Sequence, residues 1–173
     1  MNVKFSTKFV AASAAAVMAL SLAGCSGGSM DDSSSSSAKA SGDSITIGTV
    51  TTNSGTAAAY GEAEVKGFEL AVSEINAKGG INGKKVKLES MDDKGDATEA
   101  SNAYNKLAGD NNVLAVAGPT ISATTAAVAP LADQSKLVTI APAATSDSIE
   151  TGNYLFRTCF KDSYQGDRMN FKP

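Results

Sequence analysis

Short apolar runs alternate with helix-patterned stretches along residues 44–157, and this alternation constrains the fold more than any other feature of the chain. The first run is Ser44–Val50, with Ile45, Ile47 and Val50 as its apolar members. A helix is predicted from about Ala58 to Lys78, where Phe68, Ala71, Val72 and Ile75 fall at i, i+3, i+4 and i+7 and so define one buried face. Gly79-Gly80 ends it, because glycine accepts the left-handed conformation just past a helix. Asn82-Gly83 turns the chain into Lys84–Met91, where Val86 and Leu88 alternate with lysines as in an edge or half-exposed strand. A second helix spans Ala97 to Gly109, with Ala100, Ala103, Tyr104 and Leu107 inward. Val113–Ala117 is an unbroken apolar run, suited to a central parallel strand. A third helix runs from Ser122 to about Gln134 with Ala127, Val128 and Leu131 inward, and Pro130 inside it is a place for a kink. Leu137–Ile140 and Tyr154–Arg157 supply two more strands. Strand and helix in turn imply right-handed crossovers and a parallel sheet covered on both faces, a doubly wound, Rossmann-like α/β lobe.

On such a sheet ligands sit at the C-terminal ends of the strands. Two loops fall there, Gly118–Thr125 after the third strand and Ala141–Thr145 after the fourth. They carry Ser122, Thr124, Thr125 and Thr145 and the N–H groups of a helix start, which suit an anion such as a carboxylate. The helix dipole and about two to four hydrogen bonds, set against desolvation, would leave such a group a net few kcal/mol. Residue chemistry alone leaves a second reading open, in which Ser122 only caps the helix and Thr145 only makes a turn.

Asp92-Asp93-Lys94-Gly95-Asp96 superficially matches a calcium loop, but the twelfth position from Asp92 is Ala103 where a bidentate Glu belongs. A turn followed by a capping box fits better, with Asp96 at the cap and Glu99 reaching back. Asp92 and Asp93 stay open as functional candidates.

Several chemistries are excluded. The chain has no histidine, which rules out a Ser-His-Asp triad within it. No G-x-G-x-x-G follows the first strand, and neither a phosphate-binding G-x-x-x-x-G-K-S/T nor a G-x-S-x-G elbow occurs. Cys25 and Cys159 are the only cysteines, too few for a disulfide framework or a thiolate metal cluster, and Cys159 has no His to activate it. A net charge of −3 argues against nucleic acid. What remains is a binding site with no cofactor and no metal, so no enzyme is expected.

The N-terminus reads as an address. Residues 1–24 have a basic start at Lys4 and Lys8, then an apolar Phe9–Leu20 too short for a comfortable membrane span. Leu22-Ala23-Gly24-Cys25 resembles the bacterial lipobox, which implies cleavage before Cys25 and a diacylglycerol anchor on its thiol. Cleavage would remove two of the 15 basic side chains, leaving 13 against 18 acidic ones. Residues 25–43, with the serine run Ser33–Ser37, cannot bury enough apolar surface to fold and read as a tether. Residues 44–173 are then the folded part, about 130 residues and enough for one core.

Residues 44–166 resemble the N-terminal lobe of the branched-chain amino-acid-binding proteins of ABC transporters, periplasmic binding proteins of type I. The matching stretches are Ala59-Tyr60-Gly61, Ala71-Val-Ser-Glu-Ile-Asn-Ala-Lys-Gly-Gly-Ile-Asn-Gly83, Asp92-Asp93, Gly118-Pro119, Ala141-Pro-Ala-Ala-Thr145, Phe156-Arg157-Thr158 and Asp162-Ser163-Tyr164-Gln165-Gly166. The resemblance implies that Ser122 binds a ligand carboxylate through hydroxyl and N–H, and that the Ala143 carbonyl accepts from the ammonium. It further implies that Thr145 touches both groups and that Tyr60 walls the side-chain pocket. The implied partners are a Leu/Ile/Val-like amino acid, ABC permease subunits and, through the anchor, the outer face of the cytoplasmic membrane.

The family continues into a second lobe, whereas the resemblance here fades after Gly166. The chain therefore reads as a truncated receptor, expected to bind weakly alone. The disulfide of some relatives is absent, with Gly95 and Ile121 at those places. The alternative function is a sensory or interaction lobe with no part in transport.

Overall fold

The computed structural model describes residues 44–149 and 152–169. The address, Cys25 and the tether lie outside the described residues. Among the described residues nine elements follow in order: β1 (Ser44–Thr51), α1 (Ala58–Ala77), β2 (Lys85–Asp92), α2 (Ala97–Ala108), β3 (Val113–Ala117), α3 (Ser122–Ser135), β4 (Thr139–Ala141), β5 (Leu155–Arg157) and α4 (Asp162–Met169). The five strands form one sheet in the order β2-β1-β3-β4-β5, with every pair parallel. From β1 the chain moves outward to β2, then returns to β3 on the other side of β1. The strand order therefore reverses between β1 and β3, which is where open α/β sheets place their ligand crevice.

The core lies on one face of the sheet. Val50, Val113, Val116, Ala141 and Leu155 from the strands meet Ala100, Tyr104 and Leu107 of α2 and Val128, Ala129 and Ala132 of α3. Gly48 lets α2 lie close to the sheet, since a Cβ there would sit 2.8 Å from Leu107 Cδ1. Tyr104 is fully buried, and its hydroxyl is satisfied by Ser135 Oγ at 3.1 Å and Thr139 Oγ1 at 3.2 Å. The inward positions expected for α2 are largely confirmed, with Ala103 packed at the edge of the core.

Helix α1 differs from expectation. Phe68, Val72 and Ile75 are half-buried, Ala71 is exposed, and the helix's one buried residue is Gly61. The i, i+3, i+4 spacing correctly gives a helix, but the strands that α1 chiefly packs against are β1 and β2. Cover on both faces accordingly holds for that half of the sheet. On β4 and β5, Thr139, Ala141 and Leu155 are buried while their alternating neighbours Ile140 and Phe156 are 40% and 50% exposed. Val86 is buried and Lys85 and Lys87 are exposed on β2, the edge strand anticipated from its alternation.

At α2 the cap is as anticipated and the box is not. Asp96 accepts from Thr98 N–H at 2.8 Å and Glu99 N–H at 2.9 Å. Its own N–H donates to the Asp93 carbonyl, so Glu99 has no donor to reach and lies 3.8 Å from Lys94 instead. Both of those side chains are well exposed, so the pair is worth little.

Candidate functional site

The crevice is bounded by the loops that leave β1, β3 and β4. Two glycines let them approach one another. Gly118 has φ +115°, and a Cβ on it would lie 2.0 Å from the Val50 carbonyl oxygen. A Cβ on Gly61 would lie equally close, 2.0 Å, to the Thr52 carbonyl oxygen, so only glycine lets α1 start against the β1 exit.

A buried polar chain knits these loops together. Thr52 N–H donates to Thr120 Oγ1 at 3.0 Å, and Thr120 Oγ1 donates to Glu64 Oε2 at 2.7 Å. Thr52 Oγ1 donates to Asp93 Oδ1 at 2.6 Å, where the Gly95 N–H also donates at 2.9 Å. Thr52, Thr120 and Asp93 are fully buried. Glu64 Oε1 and Asp93 Oδ2 are buried with no hydrogen-bond partner. Burial pushes the Glu64 carboxyl above its ordinary range; the Thr120 hydroxyl opposes this and the Asp93 charge adds to it.

Asp92 does a related job at the surface. Its carboxylate accepts from Asn53 N–H, Ser54 Oγ and Lys94 N–H at 2.8 to 2.9 Å. Partial burial raises this carboxyl, and those three donors together with the Lys94 charge outweigh it and hold it below the usual range. The two aspartates left open by the sequence thus tie the β2 exit to the β1 exit.

Helix α3 begins without a side-chain cap. Ser122 is its first residue rather than the cap, and Ile121 precedes it in extended conformation. The first capping bond into the helix is Thr125 N–H to the Ile121 carbonyl. The N–H groups of Ser122, Ala123 and Thr124 therefore have no hydrogen bond among the described residues. Ser122 Oγ instead accepts from Ser146 N–H at 3.1 Å, which ties the β4 loop to the start of α3 and leaves the hydroxyl proton to donate elsewhere.

Four candidate residues gather at this edge. Tyr60 and Ala143 line one cavity of about 480 Å³ with Ala59, Ala63, Glu64 and Pro142. Ser122 bonds the residue that follows Thr145. Ser122, Ala143 and Thr145 are half-buried, and Tyr60 is 67% exposed. The fifth candidate, Cys25, lies outside the described residues. Cys159 is a free, half-buried cysteine, and no cluster of metal-ligating side chains occurs among the described residues. Sequence reading missed Glu64, Thr52 and Thr120, whose partners lie 41 to 68 residues away in sequence. The one available signal was an acidic residue only two places past the exposed Glu62 on a helix that begins at the sheet's ligand edge.

A parallel sheet with a reversal of strand order, an open helix start and an apolar cavity beside it define a ligand-binding α/β lobe. The chain belongs to the periplasmic binding protein family, whose model matches residues 44–169. The family is a non-enzymatic, ligand-binding class of extracytoplasmic proteins. The Leu/Ile/Val-binding protein BraC3 of Rhizobium johnstonii is 36% identical over 125 residues, which is 71% of this chain and 34% of that protein. The Leu/Ile/Val-binding protein of Escherichia coli is 36% identical over 124 residues, 70% of this chain and 34% of its own. Among solved structures, the branched-chain amino acid transporter substrate-binding protein LivJ of Streptococcus pneumoniae, in complex with isoleucine, superposes with a TM-score of 0.66. It is 43% identical and the match covers 69% of this chain and 35% of that one. The chain thus spans about a third of the length of the relatives it matches.

Proposed function

We propose that residues 44–169 are one lobe of the solute-binding component of an ABC transporter, which captures a branched-chain or similar α-amino acid. The observation that carries this reading is the pairing of unmet donors with an unmet acceptor at one edge of the sheet. The Ser122, Ala123 and Thr124 N–H groups lack partners among the described residues, and so does the Ala143 carbonyl. The first set suits a carboxylate at a helix N-terminus, and the second suits an ammonium. Ser122 donates its free hydroxyl proton to the carboxylate, Thr145 contacts both charged groups, and Tyr60 with Ala59, Ala63 and Pro142 forms the apolar wall for an aliphatic side chain. The names of the relatives support this ligand class.

The described residues cover one side of such a ligand, as the 67% exposure of Tyr60 indicates, so binding by this lobe alone is weak. Cleavage at the lipobox and a lipid on Cys25 would hold the lobe by its Ser/Gly tether at the outer face of the cytoplasmic membrane, beside permease subunits.

Titration of the chain with leucine, followed by amide NMR, tests the site. Shifts confined to Ser122–Thr125 and Ala143–Ser146 are expected, and their absence at millimolar ligand would rule the site out. The exposed Ile140 and Phe156 favour a second reading, in which the lobe works through a polypeptide partner. A stable dimer on gel filtration, broken by Phe156→Ser, would favour that one.

A further inference from the structure

Arg157 ends β5, and its guanidinium bonds no carboxylate among the described residues. Its partners are three main-chain carbonyls of the segment that follows β4. Nη1 donates to Ala144 at 3.2 Å and to Ser146 at 2.8 Å, and Nη2 donates to Ile149 at 3.0 Å. The Cys159 thiol donates to the same Ala144 carbonyl at 3.2 Å. A planar cation with rigid donors that gathers three carbonyls fixes the path of the backbone between them.

That path decides which groups face the crevice. In a planar trans peptide the C=O and the following N–H point in opposite directions. With the Ala144 carbonyl turned to Arg157, the Thr145 N–H is aimed away from it, and no group among the described residues accepts from it. The next peptide is held at both ends. The Thr145 carbonyl accepts from Asp162 N–H at 2.9 Å, and the Ser146 N–H donates to Ser122 Oγ at 3.1 Å. Immediately before this run, the Ala143 carbonyl accepts no hydrogen bond among the described residues. The nearby Asp147 carboxylate is occupied by the Ser163 N–H at 2.8 Å and hydroxyl at 2.7 Å, so it does not draw Arg157 away from the loop.

We propose that Arg157 is the positioning residue of the ligand site: by holding the Ala144, Ser146 and Ile149 carbonyls it aims the Thr145 N–H and the Ala143 C=O at an amino acid's charged head group. This rests on the amino-acid reading given above. Arg157 touches no ligand itself. Of the two groups it aims, the Thr145 N–H can meet only the carboxylate and the Ala143 C=O only the ammonium. Leucine draws on both, whereas a ligand without an ammonium draws on the first alone and keeps the α3 N–H groups, which belong to a different element.

The test uses the full chain, amide NMR and two ligands. Leucine carries both head groups; 4-methylpentanoate has the same side chain and carboxylate without the ammonium. Arg157→Met removes the donors and keeps the bulk, and Arg157→Lys keeps the charge. Leucine affinity is expected to fall roughly tenfold or more in R157M, with partial recovery in R157K, while 4-methylpentanoate loses clearly less. Equal losses for both ligands, or none in a variant whose β1 and β2 amide shifts are unchanged, would overturn the proposal. Should R157M fail to fold, R157K carries the same comparison, with a smaller loss selective for leucine expected and an equal loss of both ligands refuting. If the unmutated chain shows no leucine response, the amino-acid reading fails, and Arg157 is judged on the ligand-free chain. Amide exchange over residues 144–148 must then rise in R157K relative to β1, and unchanged exchange refutes the positioning role.

Discussion

Replacing Thr120 by Val keeps the shape of a fully buried side chain and removes one hydroxyl that serves two partners. The Thr52 N–H, 3.0 Å away, loses its acceptor, and Glu64 Oε2, 2.7 Å away, loses its donor. A buried N–H left unpaired costs about 1–3 kcal/mol, and a hydrogen bond to a charged group is worth about 1.5–3 kcal/mol. The sum is about 2.5–6 kcal/mol when Glu64 is ionised, and nearer the ~1–3 kcal/mol of the unpaired N–H alone when it is protonated. The pH dependence follows in sign. Burial raises the folded-state pKa of Glu64, so the folded state binds more protons than the unfolded chain between the ordinary and the raised value, and stability falls as pH rises through that window. The Thr120 hydroxyl opposes the rise, so its removal pushes this carboxyl further up and widens the window upward. The Thr120→Val loss should therefore be larger at neutral pH than at about pH 4, near the ordinary glutamate range. Urea unfolding of parent and variant at the two pH values, followed by far-UV circular dichroism, measures it. A loss below about 1 kcal/mol, or the same loss at both pH values, would refute the account of this network.

Leu107→Ala empties the contact that fills the space over Gly48 and should cost about 2–5 kcal/mol, read from a shifted urea midpoint with an unchanged slope. Asp96→Ala removes the two bonds that cap α2 and should cost about 1 kcal/mol, with Asp96→Asn recovering most of it in thermal melts. The Ser163 hydroxyl and N–H, with help from the Lys161 and Arg157 charges, hold the exposed Asp147 carboxyl below its ordinary range against slight desolvation. This bond is present above that range and lost as pH falls through the lowered value, so amide exchange at Ser163 should rise on acidification, and Asp147→Asn should show the rise already at neutral pH.

Much of the fold is written locally. Val113–Ala117 reads as a buried central strand because every position is apolar, and it is flanked on both sides in the sheet. The lysines of β2 mark it as an edge. The capping aspartate of α2 is legible from the residues that follow it. The buried face of α1 is slighter than its spacing implies, because helical spacing reports a stripe but not what covers it. For Ser122 the opposite of the capping reading holds: it opens the helix, and its hydroxyl turns to Ser146, 24 residues on. No local pattern distinguishes a serine that caps from one that leaves three N–H groups free.

Sequence alone determined the order of the elements from β1 to β5 and the sheet edge that their strand-to-helix loops share, but not the helix α4. Those depend on periodicity and residue type, which act over a few positions. Tertiary structure decided which polar groups at that edge are spent on the protein itself and which are left for a ligand. Thr120 and Glu64 meet across 56 residues, and Arg157 reaches back 8 to 13 residues to hold three carbonyls. Such pairings follow from how strands stack in space. The chemistry of the site is what remains of the N–H and C=O groups once those pairings are made.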